Sequence, residues 1–263
     1  MITIKKIIKK IIPRSLQKII RKILNIFNNK NKVSDNYKII KNPDLNELRE
    51  KYNNAWKNNS LPYKQLKLTE KELIDFNQIA PMKVIVDLIK KIKLKEPSIL
   101  EIGCSTGYYS EVFKRAGLSI KYEGCDYSPS FIEIAKQKYP DIKFKLADAT
   151  KLDYQDKQFD IVISGCCILH IIDYAIAISE AIRVAKKFVI FHRTPVIRLN
   201  KTSFTKKMGY GTEMIEILFN EQELTNLFRK NNLTITDTTD FANFSIEGLN
   251  EPIHIKSYLC QKI

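Results

Sequence analysis

A short stretch near the middle of the sequence carries the residue types needed to hold a charged ligand. Residues 98–102 are apolar and β-branched, which predicts a buried strand, and Glu101 places a carboxylate near the end of that strand. Gly103 and Gly107 follow, and helical spacing resumes over residues 108–114. Glycines let backbone approach a ligand, and the first turn of a helix presents free N–H groups. Because a carboxylate repels phosphate and attracts an ammonium or sulfonium group, the stretch predicts a nucleoside site for a cationic ligand. The alternative is a plain strand–turn–helix corner.

This stretch resembles the first motif of the class I S-adenosylmethionine-dependent methyltransferases, an acidic residue followed by x-Gly-x-x-x-Gly. Glu101, Gly103 and Gly107 occupy the fixed positions of that motif. Cys104 and Ser105 lie in the loop, and the family often has a further glycine at the position of Ser105. The resemblance implies that the cofactor is S-adenosyl-L-methionine, with S-adenosyl-L-homocysteine as the product, and that these loop residues bind it.

Further cofactor-binding residues follow along the chain. Asp126 ends the second predicted strand about twenty residues after the glycine loop, where a carboxylate accepts hydrogen bonds from both hydroxyls of a ribose. In the family that the chain resembles, an apolar residue comes next and packs against adenine, which is the position of Tyr127. The resemblance also implies that Asp148 binds the adenine amino group and that the backbone N–H of Ala149 meets a ring nitrogen. Ser164 is expected to face the methionine part of the cofactor.

Two histidines are candidate catalytic bases. His170 and His192 follow the fourth and fifth predicted strands, at the edge of an open α/β sheet where ligands bind. A sugar hydroxyl is a poor nucleophile, and an imidazole accepts protons near neutral pH. The alternative for each histidine is a hydrogen-bonded structural role. Arg193 is placed to pair with an acidic group of the acceptor. Tyr108 or Tyr109 offers an aromatic face to the cationic donor, unless both are core residues.

Cysteine and histidine usage gives no indication of a metal site. The chain has five cysteines without a Cys-x-x-Cys pair and three histidines, which leaves few ligands for zinc. The odd number of cysteines, several of them inside predicted strands, fits a reduced cytosol. We therefore expect no metal and a cytoplasmic protein.

Predicted strands and helices alternate from residue 98 onward, which indicates an α/β fold with helices on both faces of a parallel sheet. Strands are predicted at residues 98–102, 119–126, 142–146, 159–164, 188–191, 233–238 and 253–260. The family resemblance covers about residues 80–262 and implies a Rossmann-like, mostly parallel seven-stranded sheet with an antiparallel last strand. Residues 95–263 are thus expected to form the methyltransferase domain. Residues 196–218 are expected to be an insertion over the pocket that turns at residues 209–211.

The N-terminal region, residues 1–32, carries ten Lys or Arg and no acidic residue. The rest of the chain has 34 basic and 29 acidic residues, so most of the net charge of +15 lies in this region. Apolar residues recur at helical spacing over residues 1–28 with basic residues opposite, and Pro13 begins the second of two predicted helices. Such a helix fits an anionic membrane surface. Packing on its own domain or on a second subunit, and binding of nucleic acid, are the alternatives.

Residues 33–94 are predicted to be a linker and a helical cover over the cofactor. Residues 28–36 are polar and predict a flexible linker. Trp56, Tyr63 and Gln65 are expected in a loop between helices, where they help to shape the acceptor pocket. The alternative for Trp56 is that it packs the cover onto the core.

These observations predict an enzyme that transfers a methyl group from S-adenosylmethionine. The basic, apolar N-terminus favours O-methylation of a sugar or lipid-linked glycan at the inner face of the plasma membrane, and similar small methyltransferases are linked to bacterial surface-polysaccharide pathways. An RNA methyltransferase that uses the basic arm is a second interpretation. The mild charge of the remaining chain and the missing Asn-Pro-Pro-Tyr-type motif argue against a nucleic-acid partner. An inactive protein that only binds the cofactor is a third interpretation.

Overall fold

The computed structural model describes residues 34–263, and the helices predicted within residues 1–28 lie outside this range. This part of the chain contains ten strands: β1 (Ser34–Ile39), β2 (Ser98–Ile102), β3 (Lys121–Asp126), β4 (Lys143–Leu146), β5 (Phe159–Gly165), β6 (Ala185–Ile197), β7 (Ser203–Gly209), β8 (Thr212–Asn220), β9 (Leu233–Phe244) and β10 (Ile253–Lys262). Its seven α-helices are α1 (Leu45–Tyr52), α2 (Leu61–Ile74), α3 (Ala80–Ile92), α4 (Tyr108–Arg115), α5 (Pro129–Lys138), α6 (Tyr174–Val184) and α7 (Glu221–Lys230). None of these described helices combines the length and the apolar character needed to cross a membrane.

Seven strands form the central sheet in the order β4-β3-β2-β5-β6-β10-β9. Strands β2 to β6 pair in parallel, and β10 is antiparallel to both β6 and β9. The predicted Rossmann-like, mostly parallel sheet with an antiparallel last strand is therefore confirmed. Three further strands bring the described total to ten, because β8 pairs with the far end of β6 and is followed in the sheet by β7 and β1.

Two connecting segments form more regular structure than their sequence indicated. Within residues 196–218, β6 continues to Ile197 and the antiparallel pair β7–β8 extends the sheet, whereas the expected position over the pocket stays a prediction. The predicted turn is present at Tyr210 and Gly211, which both have positive φ angles (52° and 81°). Residues 34–36, the described end of the predicted linker, instead begin strand β1, in which the half-buried side chains are Ser34, Tyr37 and Ile39.

Side chains that alternate along the central strands fill two cores, one on each face of the sheet. Ile99 and Ile161 face the cluster that contains α3 and α4, whereas Leu100 and Val162 face the cluster that contains α6 and α7. All four are fully buried. Burial of one such side chain contributes about 1.5–3 kcal/mol, so two-sided burial fixes the register of the strands. That register in turn sets where each strand ends at the site.

The segment from α1 to α3, called the cover below, is largely helical, and its predicted role over the cofactor stays a prediction. Asp44 caps α1, since its carboxylate accepts a hydrogen bond from the backbone N–H of Asn46 at 2.8 Å. Trp56 lies in a single 3₁₀ turn between α1 and α2. Tyr63 and Gln65 are not in a loop as expected, because α2 already begins at residue 61, with Pro62 in its first turn.

The turn from β2 into α4 depends on two glycines. Gly103 and Gly107 have φ angles of 72° and 76°, in the left-handed region that side chains disfavour. A Cβ at Gly103 would meet Sγ of Cys167 at 2.6 Å, and a Cβ at Gly107 would meet the Phe144 ring at 2.5 Å. The turn therefore requires glycine both for its backbone conformation and for space.

We predict that Gly107→Ala destabilises the protein more than Gly117→Ala. Both residues have positive φ, so both substitutions carry a left-handed cost of about 1–2 kcal/mol, but a methyl group added at Gly117 would have no atom within 4 Å. Displacing the Phe144 ring adds about 1–3 kcal/mol for Gly107→Ala. Urea unfolding of both variants measures this difference, and equal losses would contradict the packing argument.

Candidate active site

Asp126 lies at the end of β3, beside the loop between β2 and α4. Its two carboxylate oxygens accept hydrogen bonds from the backbone N–H groups of Ser105 and Ser128, both at 3.0 Å. Burial raises the pKa of this carboxyl to about 6, although the N–H donors favour the ionised form. Each oxygen keeps a further lone pair, so the side chain can still accept two hydroxyl groups, as the predicted ribose contact requires.

Glu101 is fully enclosed at the end of β2. The hydroxyl of Tyr122 donates a hydrogen bond to its carboxylate. Burial raises the pKa of Glu101 to about 8, the Tyr122 hydrogen bond opposes that shift, and the nearby Asp126 adds to it. At neutral pH the carboxyl is therefore mostly protonated without a ligand, and a cation beside it favours ionisation.

The loop and the end of β5 contain buried hydroxyl groups without partners. The side-chain oxygens of Ser105, Thr106 and Ser164 are buried and form no hydrogen bond with any residue from 34 to 263. Because buried hydroxyls are normally satisfied, these three fit a polar ligand such as the amino acid part of the predicted cofactor. The side chain of Cys104 instead packs in an apolar cluster with Phe144, so only its backbone belongs to the loop surface.

The residues predicted to bind adenine follow the ends of β3 and β4, and one of them is in contact with the cover. The hydroxyl of Tyr127 accepts a hydrogen bond from the backbone N–H of Trp56 at 3.1 Å. Asp148 is exposed, and among residues 34–263 its hydrogen bonds involve only Oδ1, which accepts from the backbone N–H and the hydroxyl of Thr150 at 2.8 and 2.7 Å. Ala149 is buried directly after it. These positions leave Oδ2 of Asp148 open for the amino group that the resemblance implies.

His170 lies in a short 3₁₀ turn after β5, against the cover. Its Nδ1 is 2.7 Å from the carbonyl oxygen of Ile215, which fixes a proton on Nδ1 because a carbonyl can only accept. Nε2 then carries a lone pair and forms no hydrogen bond with a described residue. Burial lowers the pKa of His170 to about 4, with Lys207 as a further cause, so the ring is neutral at physiological pH. The Trp56 ring lies 4.8 Å from it, centroid to centroid.

The surroundings of His192 do not suit the role of catalytic base that the sequence suggested for it. It is fully buried, and its ring nitrogens are hydrogen-bonded to Ser257 (2.8 Å) and Tyr109 (2.9 Å). Burial lowers its pKa well below the usual value, and the Arg193 charge adds to this. With both nitrogens occupied, His192 has no free position for a substrate proton, so its geometry favours the structural alternative. Tyr109 stacks on Phe113 within the core and offers no open face to a ligand.

The structure also brings in residues that the sequence analysis did not single out. Gly124 on β3 is the residue paired with Glu101, and it has no side chain. The Tyr122 side chain, two residues earlier on the same strand, can therefore cross diagonally to Glu101. That signal was available from the strand pattern, since Tyr122 and Gly124 are two residues apart on one face. Thr106 lay within the motif itself. No three His, Cys, Asp or Glu side chains between residues 34 and 263 are grouped so that they could hold a metal ion.

Comparison with known proteins finds sequence matches over the region that contains this site. The sequence profile of a family described as "Methyltransferase domain" matches residues 100–191. A ubiquinone biosynthesis O-methyltransferase of Pelagibacter ubique is 30% identical over 199 residues, which cover 67% of this chain and 80% of that protein. A demethylmenaquinone methyltransferase of Paenarthrobacter aurescens is 28% identical over 128 residues, 47% of this chain and 49% of that protein. This second match thus spans only about half of the relative.

A solved structure shares the fold. The 1,6-didemethyltoxoflavin-N1-methyltransferase of Burkholderia thailandensis, solved with its substrate and S-adenosylhomocysteine, superposes with a TM-score of 0.55 at 13% identity. The match covers 86% of this chain and 94% of that chain. At this identity the likeness establishes the fold alone. The sequence matches support S-adenosylmethionine as the methyl donor.

We predict that Glu101→Gln stabilises the ligand-free protein at pH 8 and weakens donor binding. A pKa of about 8 instead of the ordinary 4.5 means that the folded state holds an extra proton between these values. Stability of the ligand-free protein therefore falls as pH rises from about 4.5 to 8. Glutamine does not titrate, so the variant lacks this pH dependence. At pH 8 we expect its free energy of unfolding to exceed that of the wild type by at least about 1 kcal/mol, the equivalent of one pKa unit.

Urea unfolding at pH 6 and pH 8.5, with calorimetric titration of S-adenosylmethionine, measures both effects. Asp141→Asn, an exposed carboxylate before β4, is the control and should change neither quantity. A Glu101→Gln protein that loses stability at pH 8.5, or that binds the donor as tightly as the wild type, would contradict the assignment.

Proposed function

This chain belongs to the class I S-adenosylmethionine-dependent methyltransferases, and we propose that it methylates a hydroxyl oxygen on a planar ring of a small acceptor. The proposal rests chiefly on one observation, the anchored His170 beside Trp56. Its Nδ1 is fixed by the Ile215 carbonyl at 2.7 Å, so its Nε2 is left as a hydrogen-bond acceptor at the edge of the sheet where ligands bind.

Aromatic side chains cluster around Trp56, the neighbour of His170. The Trp56 ring lies 4.8 Å from His170 and 6.3 Å from both Phe131 and Tyr210, measured between ring centroids. Aromatic faces pack favourably against a flat ring and exclude water from it. The cover and the β7–β8 turn thus supply the walls of an acceptor pocket, and His170 supplies its hydrogen-bond acceptor.

When bound, the donor supplies a positively charged sulfonium methyl group whose departing sulfide is neutral and a good leaving group. The chain's own residues then mainly orient the acceptor, and correct positioning is worth about 7–11 kcal/mol of a reaction barrier. Asp126 and the hydroxyls of Ser105 and Ser164 hold the donor end in place. Nε2 of His170 accepts the hydrogen bond, and then the proton, of the attacking hydroxyl.

The basicity of His170 favours an acidic hydroxyl group. With a pKa of about 4, its neutral ring is a weak base. A phenol-like hydroxyl, with a pKa of about 10, gives up its proton far more readily than an alcohol does. The name of the Pelagibacter relative, an O-methyltransferase of ubiquinone biosynthesis, supports a ring hydroxyl of that kind.

A sugar or lipid-linked glycan is the second candidate acceptor. Sugar rings also pack on aromatic faces, and the basic, apolar pattern of residues 1–28 fits an enzyme that meets its acceptor at an anionic membrane. In either case we propose a cytoplasmic protein held on the inner face of the plasma membrane.

Transfer of labelled methyl groups into cell extracts separated into quinone, lipid-linked glycan, RNA and protein fractions decides among these acceptors. Label in the quinone fraction supports the first candidate, and label confined to RNA contradicts both.

We predict that His170→Ala lowers the turnover rate by about 10²-fold or more while donor affinity stays unchanged, because the hydroxyl loses its proton acceptor. His254→Ala is the matched control, since His254 pairs with Asp240 on β9 and has no part in the pocket. Steady-state rates on the labelled fraction, with calorimetry for the donor, test this. Full turnover by His170→Ala would exclude His170 as the base.

A further inference from the structure

Strand β6 contains a bulge where it passes the active site. His192 and Arg193 together lie opposite the single residue Ser257, because Phe191 pairs with Tyr258 and Thr194 pairs with Lys256 on β10. Arg193 has a φ of 58°, a left-handed conformation that arginine rarely adopts within a strand. A bulge changes the direction of the side chain that it carries, and bulges are common beside active sites. The charge of Arg193, which lies on this bulge, acts on His170 and on Tyr210, and this places Arg193 near the proposed acceptor pocket.

The Arg193 side chain is half-buried and lies near core residues as well as residues of the proposed acceptor pocket. Its neighbours in electrostatic contact include Cys166, Tyr108, Tyr109 and Tyr210, and they hold the pKa of Arg193 well above its usual range, Cys166 contributing most. Cys166 is placed there by the backbone hydrogen bond from its N–H to the carbonyl of His192 at 2.9 Å. Arg193 is therefore charged, and it faces the same space as the cover and the β7–β8 turn.

Arg193 differs from every other arginine in the described range. The others bond to the carboxylate or amide side chains of neighbours: Arg49 with Asp173, Arg115 with Glu111, Arg183 with Glu180, Arg198 with Glu221 and Arg229 with Asn226. Within residues 34–263, no carboxylate oxygen lies within 4.0 Å of the Arg193 guanidinium, and no hydrogen bond from it is found. A half-buried cation without a partner has lost part of its hydration, which points to an anion supplied from outside the chain.

We propose that Arg193 binds an anionic group, a carboxylate or a phosphate, of the acceptor molecule. A guanidinium pairs with either group through two parallel N–H bonds, which would orient the acceptor as well as attract it. The acceptor is then an anionic ring compound whose hydroxyl reaches His170. This inference rests on the proposed function, since it assigns a further part of the same pocket.

Two other buried polar atoms in the pocket wall lack partners, which supports a polar acceptor. Nε1 of Trp56 and Oε1 of Gln65 form no hydrogen bond with a described residue. They offer one donor and one acceptor. Glu72 is the carboxyl that faces Arg193 from α2; burial raises its pKa and the Arg193 charge opposes that shift, but its oxygens lie beyond the 4.0 Å of an ion pair.

The test measures binding of three flat probes to the full chain saturated with S-adenosylhomocysteine. Benzoate and phenyl phosphate carry the two candidate anions, and benzamide is the neutral counterpart of benzoate. We expect the wild type to bind at least one anion about 10-fold or more tightly than benzamide, as one charge-assisted pair provides. A preference for benzoate indicates a carboxylate acceptor, and a preference for phenyl phosphate indicates a phosphorylated one.

Variants assign the preference to one side chain. Arg193→Met should bind all three probes alike, and Arg193→Lys should keep part of the preference because it keeps the charge but loses the two-pronged geometry. Arg198→Met removes the same charge just beyond β6, from a residue already paired with Glu221, and should behave as the wild type. Equal binding of the three probes by the wild type, no binding of either anion, or a preference that persists in Arg193→Met would overturn the proposal.

S-Adenosylhomocysteine binding, titrated first for each protein, separates the possible failures. A wild type that does not bind it contradicts the proposed function, whereas normal binding without anion preference contradicts only the role of Arg193. Arg193→Met could fold poorly and so fail to bind S-adenosylhomocysteine. In that case Arg193→Lys is the deciding variant, because it retains the positive charge. If it loses the whole preference for anions over benzamide, the proposal is overturned.

Discussion

Two acidic side chains buried at the ends of neighbouring parallel strands are the interaction on which the whole site depends. Glu101 and Asp126 are 1% and 8% exposed, and burial raises the pKa of both. Burying carboxyl groups without a cation is unfavourable, so the fold has to compensate. Tyr122 donates to Glu101, and backbone N–H groups of the glycine loop and of the start of α5 donate to Asp126. In the ligand-free protein these hydrogen bonds hold the carboxyl groups in position, and the positive charge that would balance them comes from the bound donor.

The rest of the fold maintains this arrangement. The register of β2 against β3 sets Glu101 beside Gly124, and the cores on both faces of the sheet keep that register from slipping. Asp160 at the start of β5 accepts hydrogen bonds from the backbone and hydroxyl of Ser98, at 3.0 and 2.8 Å, which fixes the other end of β2. The cover is joined to the donor side by the bond between Trp56 and Tyr127. Donor site and acceptor pocket are therefore parts of one continuous structure.

The donor side could be predicted from the sequence because its signals are local. A glycine pair after an apolar run and an aspartate at the end of the next strand both depend on short-range chain geometry, and the structure places these residues together at one edge. The acceptor side depends on contacts between distant segments. Nothing near His192 in the sequence shows that Ser257 and Tyr109 occupy its ring, and nothing near Arg193 shows the bulge against β10. Likewise, residues 203–220 form a strand pair whose second strand is buried over six successive residues, so the alternation that marks a half-exposed strand is missing there.

The most direct test of this account is calorimetric titration of S-adenosylmethionine into the wild type and into Asp126→Asn. Asparagine keeps the shape of the side chain but removes the charge that strengthens hydrogen bonds from ribose hydroxyls, each worth about 1.5–3 kcal/mol. We predict one bound donor per wild-type chain and an affinity at least about 10-fold lower for Asp126→Asn. No measurable binding to the wild type, or equal affinities for the two proteins, would contradict the account.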